Sequence, residues 1–341
     1  MKSVVIRGDG IAASCCAHLL MKAGIPVSVE RPDRPRLPVI MLSGAALALM
    51  GDVFGDLGAL AGLPQIRKRV VAWGPNATPV AVSHAAVVVS EKVLLESISK
   101  QDSDSVTREP GLRRVPRIVR DWTVLAAPPL PEETVEHHFG SRKATAVAVE
   151  MKDGVEANAC WVESLQNGWL FLIPNGAWNA YLLCVGDKVE TLLGESRLIA
   201  KQIERVGKPA GEFPAHPRVQ WPLCGSGWLA CGTAAMAFDP LCGDGTAHAI
   251  REAILAAAVI QAMAKGADVE PLLAHYQARL TAGLARHILL CEQFYQTGHQ
   301  GSWWESELQL MKKGAEWCTR RVGNLAKFQY QLSGFELRPV A

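Results

Sequence analysis

The chain has 341 residues, 49% hydrophobic and 20% charged, with 35 Lys and Arg against 33 Asp and Glu. That composition suits a globular protein with a full core and room for two domains, and it excludes the disordered and fibrous classes. A net charge of +2 with no long basic run gives no electrostatic support to a nucleic-acid or anionic-membrane partner, so neither is expected.

The N-terminus carries strand, glycine turn, helix and strand in succession. Val4 to Ile6 is a β-branched run; Gly8-Asp9-Gly10-Ile11-Ala12-Ala13 follows, then the helical pattern SCCAHLLMKAG, then PVSVE ending at Glu30. Gly8 permits the tight turn, Gly10 lets a pyrophosphate approach the backbone, and the small Ala13 lets helix and strand pack closely. The helix N-terminus offers its unpaired N–H groups to the phosphates. Glu30, twenty residues beyond Gly10 and followed by Arg31, is placed to bond ribose hydroxyls and to repel a 2′-phosphate. The unit is a dinucleotide site.

From Leu37 to Gly62 the small apolar residues read as a loop into a helix. VVAWG (Val70 to Gly74) and AVVVS (Ala86 to Ser90) read as strands, and EKVLLESISKQ reads as an amphipathic helix of about three turns. QDSDSVTREPGLRRVPR is polar and turn-rich, and DWTVLAAPPLPEE runs from a short strand into a proline-rich loop. Between Ala144 and Val185, period-two patterns broken by turns such as Asn175-Gly176 predict an antiparallel sheet. A helix is expected from about Val189 to Val206, then a strand in GWLACGTAA (Gly227 to Ala235). The segment GTAAMAFDPLCGDGTAHAIREAILAA turns that strand into a long Ala-rich helix ending near Lys265, and the chain from Val269 onward is expected to be mainly helical. The predicted class is α/β. A nucleotide-binding domain over 1–125 and 216–265 is interleaved with an antiparallel sheet domain over 126–215 and followed by a helical C-terminal region, 266–341.

The nine cysteines form no C-x-x-C pair and no Cys/His cluster with zinc-like spacing, and Cys15 and Cys16 fall within a predicted helix. They are expected to be reduced, buried and apolar in role, with no metal site. SVVIRGDG carries charge and glycine where a secretory signal carries its apolar core, and no uninterrupted apolar segment reaches roughly 18 residues, so a cytoplasmic location is expected.

Two motifs taken together carry a resemblance. Besides the Gly8 to Ala13 unit with Glu30, the chain has Gly232-Thr233-Ala234-Ala235 followed by Asp239-Pro240-Leu241-Cys242-Gly243-Asp244-Gly245. In this pair it resembles the flavin-dependent aromatic hydroxylases and the related flavin-dependent tryptophan halogenases. The resemblance implies a Rossmann-like FAD-binding domain and an antiparallel substrate domain. It implies FAD contacts from Gly8, Gly10, Ile11, Ala12, Ala13, Glu30, Arg31, Thr233, Asp239, Pro240, Gly243, Gly245 and Thr246. Pro240 opens the late turn, Gly243 and Gly245 let backbone N–H groups converge, and the following helix directs its positive end toward an anion. Thr233 stands where these families place an aspartate. The NAD(P)H-binding element of the hydroxylases has no counterpart, since the strand ends as WTVLAAPPLP; a separate flavin reductase is therefore expected.

The halogenase signature W-x-W-x-I-P has its nearest counterpart at Trp169-Leu170-Phe171-Leu172-Ile173-Pro174, with Phe for the second Trp. Lys68 and Lys92 are the nearest candidates for the halogenase lysine. In its short length, its missing reductase element and its FYQTGHQGSWWESEL segment, the chain is similar to a subgroup of maturases that modify tryptophans of partner proteins for tryptophylquinone cofactors. The resemblance thus implies an FAD-dependent monooxygenase of an electron-rich aromatic ring, in a small molecule or a partner protein's tryptophan. A flavin halogenase and a noncatalytic flavin-binding maturation partner are the alternatives. Candidate pocket residues are Trp169, Phe171, His84, Trp303 and Trp304, with His137 and His138; no catalytic dyad is expected, because an electron-rich ring needs little help from a base.

Overall fold

The computed structural model describes residues 3–105, 122–324 and 329–340, so much of the turn-rich stretch expected at 101–117 lies outside the described residues. The first unit forms as its spacing predicts: β1 (Val4–Arg7), α1 (Ile11–Lys22) and β2 (Val27–Glu30), with the two strands parallel. β3 (Ile40–Ser43) then leads into α2 (Gly44–Phe54), where the Ser43 hydroxyl accepts the Ala46 N–H. The sequence reading had a loop where β3 stands. β4 (Gln65–Ala72), β5 (Val80–Val89), α3 (Glu91–Ser105) and β6 (Trp122–Leu125) follow, then β7 (Val135–His138), β8 (Lys143–Met151), β9 (Ala159–Leu165), β10 (Gly168–Pro174) and β11 (Asn179–Gly186). After α4 (Val189–Glu195) come β12 (Ile203–Pro214), β13 (Arg218–Trp221), β14 (Cys224–Gly225), β15 (Trp228–Ala230) and β16 (Met236–Ala237). The chain closes with α5 (Gly245–Ala264), α6 (Val269–Gln296), α7 (Ser302–Asn324), β17 (Tyr330–Ser333) and β18 (Glu336–Pro339).

Two sheets organise these elements. The first has the order β14-β15-β6-β1-β2 and is parallel from β15 to β2. The second, β12-β8-β11-β10-β9-β4-β5-β3, is antiparallel except where β4 meets β9. The span 126–215 supplies five of its eight strands; β3, β4 and β5 come from the first ninety residues.

β10 explains how the large sheet is held. Trp169 and Phe171 point into the main core, while Leu170 and Leu172 point into a second core with Val189 and Leu192 of α4. Successive side chains on a strand face opposite ways, so burial on both faces needs an apolar run rather than strict alternation. That is how GWLFLIP reads.

One expected helix is corrected, and the mainly helical C-terminal region ends in a hairpin. The helix expected to reach Val206 stops at Glu195, and β12 pairs with β8 through several register shifts. The buried Glu163 carboxylate accepts the N–H groups of Arg197, Leu198 and Ile199, which turns the chain out of the helix. Gly207, Pro209 and Gly211 then suit a bulged strand better than a helix. At the C-terminus, β17 and β18 form a hairpin around Gly334, whose φ of +61° glycine adopts freely.

α5 is the one helix, among the described residues, long and apolar enough to cross a membrane, and 72% of its apolar window is buried inside the protein. It is the central core helix, packed on α1, α2 and α6. All nine cysteines are free, and only Cys242 is less than fully buried.

Candidate functional site

Two glycine turns from distant parts of the chain meet at α1. Gly8 has φ +146°, and a Cβ there would lie 2.9 Å from Ala126 Cβ and 3.3 Å from Ala13 Cβ. Gly232 has φ +60°, and a Cβ there would lie 2.8 Å from Ala12 Cβ. Both positions combine a backbone that disfavours side chains with a contact that has no room for one. The early and late motifs are thus packed against the same first turn of α1. Glu252 of α5 fastens the junction, accepting the Gly232 N–H at 2.7 Å while its other oxygen is buried without a partner. Burial raises the Glu252 pKa to about 8, against the opposing pull of the Gly232 N–H.

α1 begins behind Gly10 with no side-chain cap and no acid in its first turn, which leaves its leading N–H groups for an anion. Arg34 faces them: its guanidinium would be 3.1 Å from a Cβ at Gly10. Arg34 donates to Asp9 at 2.7 Å and to Glu91 at 3.0 Å, and Arg36 pairs with Asp9 at 2.8 Å. Burial alone would raise the Glu91 carboxyl, but Arg34, the Leu37 amide and Arg36 hold it below its usual value. Glu30 sits at the neighbouring strand end, 3.4 Å from Arg7, with its carbonyl accepting the Gly8 N–H at 2.8 Å. Arg31 is exposed. Of RPDRPR, the sequence points to Arg31 alone, whereas Arg34 and Arg36 are the arginines that reach the glycine turn.

The second end of the site is the turn before α5. Asp239 starts a short 3-10 turn over Pro240–Cys242, its carboxylate accepting the Leu241 N–H at 2.8 Å, and Gly243 ends it in the left-handed region at φ +66°. Asp244 does not cap α5; it accepts from Ser43 at 3.2 Å and pairs with Arg251 at 3.1 Å. Gly245 is exposed and Thr246 half-buried, at a helix start that no side chain closes.

Asp239 itself is held from inside. Its carboxylate accepts from Arg142 Nε at 2.8 Å and from the Tyr295 hydroxyl at 3.0 Å, and Trp169 Nε1 donates to that hydroxyl at 2.9 Å. Arg142, fully buried, also pairs with Glu307, which accepts the Ser141 N–H at 3.0 Å. Burial alone would lower the pKa of Arg142, but Tyr295, Asp239 and Glu307 raise it, so the guanidinium stays charged. A network from the loop just before β8 and from β10, α6 and α7 thereby fixes the turn.

On the other side, a Cβ at Gly243 would meet Met41 at 3.1 Å, Arg69 at 3.4 Å and Phe171 at 4.0 Å. Arg69 stands 5.4 Å from the Phe171 ring centroid and 3.3 Å from His84 Nε2, and its Nε is buried with no hydrogen-bond partner. Burial, then the Arg69 charge, hold the His84 pKa below its ordinary value. The terminal nitrogen of the Arg69 guanidinium that contacts His84 is the one that faces the turn.

The expected pocket residues divide into groups. Phe171 and His84 reach the Gly243 turn through Arg69. Trp169 and Trp304 are fully buried; Trp304 Nε1 donates to Leu165 O at 3.0 Å. Trp303 lines a separate surface cavity of about 470 Å³ with Ser141, Asp187 and Glu307. His137 packs on Trp317, and His138 contacts His216 at 2.9 Å. His138 also lines a cavity of about 610 Å³ beside the exposed Thr233, whose carbonyl accepts from Arg218 at 3.0 Å. Lys68 is paired with Glu156, and Lys92 lies exposed near Glu96.

No family model and no curated protein matches the chain in sequence. Solved structures do match in fold. The peptidyl tryptophan dihydroxylase QhpG, essential for tryptophylquinone cofactor biogenesis, superposes with a TM-score of 0.72 at 20% identity, covering 90% of this chain and 78% of QhpG. The myxobacterial chondrochloren halogenase CndH, an FAD-dependent halogenase, gives 0.74 at 15% identity, covering 95% and 90%. HpxO of Klebsiella pneumoniae, solved with FAD, gives 0.62 at 15% identity, covering 95% and 96%. The chain has the fold shared by FAD-dependent aromatic hydroxylases and halogenases.

Proposed function

We propose that this protein is an FAD-dependent monooxygenase that hydroxylates an electron-rich aromatic ring, a tryptophan side chain of a partner protein, during maturation of a quinone cofactor. The observation that carries the flavin reading is the packing of Gly8 and Gly232 against one turn of α1, which brings both motifs to a single ligand path. The residues fit FAD at both ends. The uncapped start of α1 and Arg34 suit a pyrophosphate, Glu30 suits a ribose, and the open helix start at Gly245 with the Arg69 guanidinium beside Gly243 suits the oxygen edge of a flavin ring. The likeness to QhpG supports the partner-protein tryptophan.

Bound FAD supplies the oxygen chemistry. The chain's own residues bind and orient: Arg142 and Tyr295 keep Asp239, and with it the turn, in place; Met41 and Phe171 keep the Gly243 side apolar; Arg69 holds a positive charge beside it. A fixed donor in a water-poor site stabilises negative charge more than the same donor in water. The cation beside Gly243 is an arginine, while Lys68 is paired with Glu156 and Lys92 lies exposed near Glu96, which favours hydroxylation over halogenation.

The test is a reaction of the FAD-loaded protein with a flavin reductase, bromide and tryptophan-bearing peptides or proteins. Hydroxylated product without bromination supports the reading. Brominated product replaces it with the halogenase, and a protein that binds FAD but modifies no ring leaves the noncatalytic partner.

A further inference from the structure

We infer that Cys242, His287 and Cys291 form a binding site for a thiophilic d10 cation of the zinc class, built into the back of the turn that precedes α5. The two sulfurs and a ring nitrogen of His287 lie within 4.8 Å of one another. Cys291 Sγ is 3.4 Å from His287 Nε2. Tetrahedral zinc, with bonds of about 2.3 Å to sulfur and about 2.0–2.1 Å to nitrogen, separates such donors by roughly 3.5 Å, so this edge of the site is already set. His287 and Cys291 are one helical turn apart on α6, hence on one face; Cys242 arrives from the turn. Two sulfurs and an imidazole select zinc, cadmium or copper(I) over magnesium or calcium.

The surroundings suit a cation. Cys291 is fully buried and His287 is 5% exposed, whereas Cys242 is half-buried and gives access from the turn. Each thiol loses its proton to solvent as its sulfur–metal bond forms, and no electron is transferred.

The site is coupled to the turn. His287 Nε2 now accepts the Asp239 N–H at 2.9 Å. A cation on that nitrogen takes the same lone pair and frees the amide, so the turn that starts at Asp239 must shift. Cation binding and occupancy of the Gly243 turn then alter each other's affinity by the same factor. The cation site stands apart from the flavin reading, because its three ligands hold whether or not a flavin is present.

The experiment is an anaerobic titration of the reduced full-length protein, with and without added FAD, with cobalt(II) as spectroscopic stand-in followed by zinc(II). The expected result is one cobalt per chain, with sulfur-to-metal charge transfer and tetrahedral ligand-field bands that zinc abolishes. Cys291→Ser and Cys242→Ser each weaken binding by about 100-fold, and Cys318→Ser, a buried cysteine on α7, leaves the titration unchanged. The site is refuted by an absent charge-transfer band, by binding that survives in the Cys242→Ser, Cys291→Ser double variant, or by a Cys242–Cys291 disulfide in protein isolated without air. A flavin that fails to bind while cobalt binds would sink the flavin reading alone.

Discussion

The front of the site, Gly8 to Glu30, and its back, Asp239 to Gly245, do similar work with different means. The front is local and made of backbone: one strand, one glycine turn and the start of one helix present N–H groups, while Arg34 and Arg36 reach in from the loop beyond β2 and Glu91 from α3. The back is a turn whose shape is imposed by side chains from the loop before β8 and from β10, α6 and α7, converging through Arg142, Trp169, Tyr295, His287 and Glu307 on Asp239. A front-end defect should therefore remove ligand binding and leave the fold intact, while a back-end defect should damage both.

Arg142→Ala breaks the back most severely. It leaves Asp239 and Glu307 buried without their cation and should cost about 3–5 kcal/mol of stability, measured as the loss in denaturant unfolding. A variant as stable as the wild type would show that the network does not hold the turn. Gly10→Glu is the matching lesion at the front. Its carboxylate would fill the space before α1 and pair with Arg34, so FAD affinity should fall at least about 100-fold, or roughly 2.7 kcal/mol, in a protein that unfolds like the wild type. Unchanged flavin occupancy in the folded variant would contradict the site.

Glu252 tests the junction between the two ends. Its pKa, raised to about 8 by burial, means that the folded protein keeps a proton the unfolded chain loses above 4.5. Stability from this group is complete below pH 4.5 and is lost as pH rises toward 8, with a slope of up to about 1.4 kcal/mol per pH unit. Glu252→Gln keeps an acceptor for the Gly232 N–H and should flatten that slope in urea denaturation series. The smallest effect is expected at Thr233. Thr233→Asp restores the carboxylate that the related families carry there and should tighten FAD by about 5-fold, near 1 kcal/mol, in equilibrium titration. A weaker complex would mean that the exposed Thr233 hydroxyl is already the better partner.

The same contrast explains what the sequence disclosed. Gly8, Gly10, Ala13 and Glu30 act through backbone geometry and short spacing, and both survive in a linear reading. The β-sheet over Ala144 to Val185 was legible for a related reason, since strand periodicity and the Asn175-Gly176 turn are local signals. Residues 189–206 misled because their helical periodicity is real for α4, while the carboxylate that ends it, Glu163, lies on β9. Arg142 carried no signal, because a buried arginine looks like any other until its two carboxylates arrive from distant elements; Tyr295 and Glu307 fell within the quoted FYQTGHQGSWWESEL segment, but nothing in the sequence tied them to a buried cation. Trp169 and Phe171 were named together as pocket candidates. They do share the main core, yet the indole is tied to Tyr295 and the phenyl ring stands beside Gly243. The expectation of no Cys/His cluster overlooked His287 and Cys291, one helical turn apart, because the third member, Cys242, sits on another element.

The central claim, oxygen transfer to an aromatic ring at the place where the two turns meet, is tested most directly with isotopically labelled dioxygen. FAD-loaded wild-type protein, a flavin reductase and a tryptophan-bearing partner should give a ring that carries the label, and Gly10→Glu should give none. A brominated ring when bromide is present, or an unlabelled product from protein that holds its flavin, would contradict the account.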